Sequence, residues 1–344
     1  MKTKNIAAGF AVLAAALYAI NIPLSKLLLT RVQPTMMAAF LYLGAGLGLA
    51  LHGLVVGKKE EESLSRKELP YTVGMIVLDI AAPILLMLGL ERTNSANASL
   101  LNNFEIVATS LIAFFVFREA LSRRLVLAIV LVTISSIALS FEGAGSFHFN
   151  TGSLLVLGAS CCWGLENNCT RMLSGKSSVQ ITTIKGIFSG LGSLVVALAL
   201  GENIPGGIWI LAVLLLGFVA YGLSINFYIK AQKHLGAAKT SAYYSIAPFL
   251  GVVFGMLLGE RPGVEFYVGL VMMLAATGLM MKDTIALQHT HQHTHVHIHE
   301  HRHGDRVHSH EHTHVHTHTH IHGQDESTHD HAHDNMEAHI HAHP

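Results

Sequence analysis

Ten apolar runs, most of them near twenty residues long, follow one another between residues 6 and 281 and leave this chain little choice of fold. They cover approximately 6–29, 35–56, 71–90, 97–117, 124–141, 152–173, 180–200, 207–229, 240–258 and 264–281. Polar or Gly/Pro-bearing breaks, such as those at 57–70 and 201–207, stand between most of them. About twenty apolar residues rising 1.5 Å each cross a hydrocarbon core of roughly 30 Å. Lipid offers the backbone no hydrogen-bond partner and open strands would stay unpaired there, so the runs must be helices. A charged fraction of only 13% is too small to coat a soluble surface on a chain of 344 residues. The expected fold class is an all-α membrane protein with ten transmembrane helices.

The amino terminus has Lys2 and Lys4 ahead of an apolar run, as a secretory signal does. That run continues to about Leu29, longer than a signal core, and is expected to remain as the first helix. Lys and Arg placement sets the orientation. With a cytoplasmic amino terminus, Lys58, Lys59, Arg66, Lys67, Arg118, Arg123, Arg124, Lys185, Lys230 and Lys282 fall on the inner side with most other basic residues. Only Lys26, Arg31, Arg92 and Arg261 fall outside. The expectation is a multi-pass protein of the cell (inner or plasma) membrane with both termini cytoplasmic.

The chain also repeats itself. Ala96 to Glu119 aligns with Ala238 to Glu260, which places Glu119 on Glu260. Near the start of each half, Tyr18 to Asn21 corresponds to Trp163 to Glu166, and Ser25-Lys26 to Thr170-Arg171. Five spans per half is an odd number, so the two copies lie in opposite orientations. Inverted repeats of this kind recur in secondary transporters, with the binding site near midplane between the halves. The domains are therefore drawn at 1–144 and 145–286, each a five-helix repeat, with a tail at 287–344.

On these residues the chain resembles the drug/metabolite transporter superfamily, specifically its EamA-type members, over about residues 5–282. The resemblance rests on the span count, the Ala-Ala-Lys-Thr-Ser run at 237–241, Pro248, and the acids Glu119 and Glu260 ending the fourth helix of each half. It implies a central cavity between two repeats, a carrier of small metabolites, amino acids or drugs, and commonly outward movement. This chain departs from the pattern where Val107 stands opposite Pro248 beside an unusual Glu105, and where Tyr18 stands opposite Trp163.

Within the spans, ionisable and amide side chains mark the candidate site. Glu105 lies near the middle of the fourth run, preceded by Asn102 and Asn103. A carboxylate at that depth costs about 2.5–3.5 kcal/mol on insertion scales, so it faces the protein interior or a wet cavity. Glu166, followed by Asn167 and Asn168, forms a second such group, with Thr170 one turn on and Arg171 as a possible partner. Asp79 sits mid-span, four residues before Pro83. These acids suit a cation, an ammonium or a titratable proton, whereas the amides serve equally as bonds between helices. Tyr18 and Trp163, at matching places, either stack on substrate or pack. Glu91, Arg92, Arg118, Glu119, Glu260 and Arg261 end spans and are expected to be solvated or to meet headgroups. Gly44, Gly46 and Gly48 let helices approach closely. Cys161, Cys162 and Cys169 show no disulfide spacing and read as small buried apolar residues.

The tail is a different material. Of 25 histidines, all but His52, His148 and His234 follow Gln288, largely as His-x-His. With few apolar residues it is expected to be disordered. His291, His293, His295, His297, His299 and His301, with His312, His314, His316, His318 and His320, are the candidate metal ligands. Neutral imidazole suits nickel, cobalt, zinc or copper, and alternate spacing lets neighbouring rings share one ion. A pH-responsive charged tail is the competing reading.

Three functions follow, in order: a secondary carrier, as an exporter of small organic solutes coupled to protons through Glu105 and Glu166; a nickel, cobalt or zinc carrier, or a metal-regulated one; a membrane-anchored metal store or sensor. No histidine lies deep in a span, and oxygen-rich ligands rank below His and Cys for borderline-soft metals, which places metal carriage second. No phosphate-binding loop, zinc-protease helix or nucleophile elbow occurs, so no enzyme and no required cofactor is expected. The zero net charge names no nucleic-acid partner; the partners are the bilayer and a small substrate.

Overall fold

The computed structural model describes residues 2–56, 64–118, 121–140, 150–173, 176–235, 240, 243–303 and 306–321. Two units divide the chain, Met1–Ile285 and Ala286–Pro344. The first is helical. Its elements are α1 (Lys2–Ala19), α2 (Asn21–Leu28), α3 (Pro34–Val56), α4 (Leu69–Arg92), α5 (Ser95–Leu101), α6 (Phe104–Phe117) and α7 (Arg123–Leu139). After these come α8 (Thr151–Arg171), α9 (Ser178–Ala199), α10 (Gly207–Gly217), a π-helical turn (Phe218–Leu223), α11 (Ser224–Leu235), α12 (Ala247–Leu257) and α13 (Val264–Leu287).

Helices occupy the expected runs, yet among the described residues only six stretches are long and apolar enough to cross a membrane: Asn5–Leu28, Pro34–Leu51, Arg66–Arg92, Ser95–Val116, Val179–Ala199 and Gly207–Tyr228. The other runs fall short for separate reasons. Helix α7 has 17 residues, and α8 spends its length on Glu166, Asn167 and Asn168. Ala247–Leu257 and Phe266–Lys282 are apolar but shorter. The Ala-Ala-Lys-Thr-Ser run at 237–241 lies outside the described residues except for Thr240, as does Glu119.

Local sequence sets where helices begin. Asn94, Ser122, Asn150 and Ser177 each accept a backbone N–H from three residues on, which satisfies one of the unbonded donors of the first turn. Two helix starts are capped from far away. The carboxylate of Glu202 accepts from Thr35 N–H at 3.1 Å and Met36 N–H at 2.7 Å, and Glu260 accepts from Ser95 and Ala96 N–H at 2.7 and 2.8 Å. Glu260 is therefore a structural anion at the positive end of α5, not the solvated side chain expected from its place at a span end.

The packing places α3 along α9 and α10, α4 along α8, α1 along α11 and α12, α6 along α8, and α5 against α12. Glycines set the distances. A Cβ on Gly44 would come 2.1 Å from the Leu214 carbonyl oxygen, one on Gly217 2.0 Å from that of Leu41, and one on Gly186 2.5 Å from Gly46. Helices without a hydrophobic drive between them associate by such close backbone contact. Gly44→Ala should therefore cost about 1–3 kcal/mol or more through overpacking, read as a lower melting temperature in detergent. Gly278→Ala, where a Cβ meets nothing within 4 Å, should leave that temperature unchanged or raise it.

Large apolar side chains stud the outer surface, among them Phe115, Val195 and Ile208, while Ser25, Thr35, Ser135, Ser160 and Ser193 are buried. This is the inside-out preference of a protein solvated by lipid tails. Cys161 is exposed and Cys162 and Cys169 half-buried, all three free, so the expectation of buried cysteines holds for none of them. Helix α4 runs through Pro83 without a break.

In the second unit, Gln288–His303 and Arg306–Ile321 form two antiparallel strands, where the composition predicts disorder. Histidine alternates there with Thr, Val and Ile, a period of two rich in β-branched residues, and that is the pattern of a strand.

Candidate functional site

Four of the apolar runs depart from regular α-helix partway along, and polar residues close to those departures line one cavity. The first breaks at Ile20, between α1 and α2. The fourth breaks at Asn102 and Asn103, where Glu105 N–H bonds Asn102 O and Ile106 N–H bonds Asn103 O in three-residue steps. The eighth passes through the π-turn Phe218–Leu223, and the ninth turns just before α12, with Phe249 N–H on Ile246 O. Irregular backbone at membrane depth persists where it is buried or lines a cavity. These four breaks surround a cavity of about 370 Å³.

Asn102, Asn103, Glu105, Trp163, Glu166, Asn167 and Tyr18 all line it, so seven of the eight residues proposed from sequence meet at one cavity. The spacing of Trp163, Glu166 and Asn167 puts them on one face of α8. Asn167 Nδ2 donates to Glu105 Oε1 at 2.7 Å and to Thr109 Oγ1 at 3.2 Å, joining the two acid-amide groups. Thr170 Oγ1 donates to Glu166 Oε1, as their one-turn spacing predicts. Asn168 turns away, donating to the Gly164 and Thr109 carbonyls, and serves as a bond between helices.

Asp79, the eighth, is fully buried and sits behind the wall rather than in it. Tyr42 OH donates to its Oδ1 at 3.0 Å, and Lys185 Nζ stands 3.0 Å from its Oδ2. The same ammonium lies 3.0 Å from Glu166 Oε1. Lys185 thus bridges two buried carboxylates from α4 and α8. The side chain of Arg171, the partner expected from sequence, lies outside the described residues.

Sequence reasoning counted Lys185 among inner-side charges and missed it. Its signal was nonetheless the one that marked Glu105, a lone charge inside an apolar run. Tyr42, Tyr221 and Tyr244 also line the cavity and carried no such signal. Their rings follow one another from Tyr244 through Tyr18 and Tyr221 to Tyr42, with centroids 5.9, 5.7 and 5.6 Å apart. Trp163 Nε1 donates to Tyr42 OH at 3.2 Å, Asn21 Nδ2 to Tyr221 OH at 3.1 Å, and Asn102 Nδ2 to Tyr18 OH at 3.4 Å. Asn102 Oδ1 and Asn103 Nδ2 are buried without a hydrogen-bond partner among the described residues.

No group of three or more His, Cys, Asp or Glu placed to hold a metal ion occurs among the described residues. The side chains of His52 and His234, all of His148, and the side chains of the tail histidines lie outside them.

Known proteins supply the context for this geometry. The model of the EamA-like transporter family matches residues 5–141 and again 150–282. An uncharacterized transporter of Methanothermobacter thermautotrophicus is 27% identical over 265 residues, covering 71% of this chain and 77% of its own. The uncharacterized transporter YyaM of Bacillus subtilis is 22% identical over 225 residues, covering 62% and 73%. A crystal structure titled only as that of a protein superposes with a TM-score of 0.60 at 18% identity, covering 82% of this chain and 97% of its own, which speaks to the fold alone. With two successive matches spanning nearly all of the helical unit, the chain belongs to the EamA-like transporter family.

Proposed function

We propose that the protein is a secondary carrier exporting small organic solutes across the cell membrane, with the cavity as its substrate and coupling site. Glu105 and Glu166 are the proton-coupling acids. The observation that carries this reading is the convergence of Glu105, Glu166, Asn102, Asn103 and Asn167 on one cavity in a chain of a transporter family. Lys185 and Asp79 hold Glu166 in place from behind, and both termini are cytoplasmic by the Lys and Arg bias.

The carrier is read as two inverted five-helix repeats. Helix pairings support this: the packing of α4 on α8 and of α11 on α1 is one contact with the halves exchanged, as is that of α6 on α8 and α12 on α1. A hydrogen bond repeats as well. Ser25 Oγ donates to Asn21 Oδ1 and Thr170 Oγ1 to Glu166 Oε1, each four residues back at aligned positions. Uptake or efflux in vesicles, with a panel of metabolites, amino acids and drugs, tests the function. Absence of movement for every solute that binds would sink it.

A second reading, metal carriage or regulation through the tail, has one observation in its favour. The strand register sets histidine opposite histidine at seven alternate positions, from His289↔His320 to His301↔His308. Truncation after residue 286 should abolish nickel, cobalt or zinc binding by the purified protein while leaving solute transport within about twofold, since the described lining of the cavity belongs to the helical unit. Metal movement that persists without the tail would instead assign metal carriage to the helical unit.

A further inference from the structure

The geometry points to a protonated organic amine as the class of solute that this cavity takes, an inference that rests on the carrier reading above. The charges come first. Asp79, Glu166 and Glu105 are three carboxylates, and Lys185 is the only base on the cavity wall among the described residues. Its ammonium is already shared by Asp79 and Glu166 at 3.0 Å each. Glu105 is left with the Asn167 amide as its one hydrogen-bond partner among the described residues, and an amide carries no compensating charge. Ionised, the group holds two negative charges in excess, and at membrane depth little solvent screens them. What the site lacks is a cation.

The orphaned amide atoms are a second, independent sign of a ligand. Asn102 is 7% and Asn103 5% exposed, both on the cavity wall, with Asn102 Oδ1 and Asn103 Nδ2 unbonded. A buried polar atom without a partner costs free energy, which a bound solute with matching groups recovers. Asn102 Oδ1 and the Glu105 carboxylate are both acceptors one turn apart, so the group they match is an N–H donor carrying positive charge, while Asn103 Nδ2, a donor, matches a separate acceptor on the solute. The rings of Tyr18, Tyr221, Tyr42 and Trp163 line the same cavity. Aromatic faces attract cations and cover the apolar part of an amine. An anion finds no free base among the described residues here, and neither does the carboxylate of a zwitterion, because Lys185 is already engaged. This narrows the solutes expected of the family to those with a net positive charge.

A matched series tests the class with the full chain in detergent. Phenethylamine, 2-phenylethanol, phenylalanine and phenylacetate share a ring and differ in charge. Calorimetric titration should show phenethylamine binding roughly tenfold or more tighter than the other three, from the carboxylate and the ring faces together. Glu105→Gln should erase that preference while the protein stays monodisperse. Asn102→Leu, which keeps the shape and removes the acceptor, should weaken the amine about fivefold or more and leave the alcohol unchanged. Equal or tighter binding of phenylalanine or phenylacetate overturns the inference, as does absence of amine binding at millimolar concentration. Counterflow in proteoliposomes keeps the two readings apart. Phenylalanine or phenylacetate that binds and crosses rejects the amine class but leaves carriage standing, whereas an amine that binds and never crosses rejects carriage.

Discussion

Lys185→Met should yield a protein that has lost both transport and much of its stability. The substitution keeps the length of the side chain and removes the one charge among the described residues that answers Asp79 and Glu166, which are 0% and 1% exposed. Removing one partner of a buried ion pair costs about 3–5 kcal/mol, because the carboxylates left behind have no water to turn to. The Lys185 side chain retains 23% exposure toward the cavity, which favours the lower end of that range. A melting temperature measured in detergent should fall clearly, and transport should be undetectable. A triple variant, Asp79→Asn with Glu166→Gln and Lys185→Met, removes every charge of the cluster and should recover most of the melting temperature, since neutral side chains of similar shape carry no such penalty. It should remain inactive. A Lys185→Met protein that melts like the wild type would show that the two acids are paired or protonated by other means.

Glu105→Gln should behave in the opposite way, stable but functionally dead. Glu105 borders the cavity, and its Oε1 receives one hydrogen bond from Asn167 that a glutamine oxygen can also accept. The loss in stability should therefore stay within about 1 kcal/mol. Coupled transport requires a group that binds and releases a proton, and an amide does neither. The rate should drop by roughly a hundredfold, the loss expected of an essential acid–base group, and its pH dependence should flatten. Glu166 and Lys185 face the same space, so any residual pH dependence would identify them as the coupling groups. A variant with the wild-type rate and pH profile would remove Glu105 from the coupling mechanism.

The two substitutions separate because the acids are held differently, and that difference was only half visible along the chain. Glu105, Glu166 and Asp79 announced themselves as charges within apolar runs, and the cost of burying them implied a common interior. Lys185 gave the same signal but read as an inner-loop charge, because it falls near the start of its span. Tyr42, Tyr221 and Tyr244 gave none, since a tyrosine in a membrane helix is as often at the headgroup level as inside. Glu260 looked solvated at a span end and instead caps α5, a helix on the other side of a long stretch of sequence. In the tail, the composition argued for disorder, whereas Gln288–His303 and Arg306–Ile321 pair as antiparallel strands.

Apolar length and the placement of charge along the chain were enough to establish membrane helices, their approximate limits, and a set of acids that must point inward. Both properties are local: a run either matches the thickness of the hydrocarbon or it does not, and a carboxylate in lipid is costly wherever it sits. Which cation answers which acid, how many aromatic rings share the wall, and which amide atoms are left unbonded depended on helices crossing between distant segments. Those crossings are set by glycine contacts of a few ångströms, such as Gly44 on Leu214 and Gly217 on Leu41, and no periodicity in the chain encodes them.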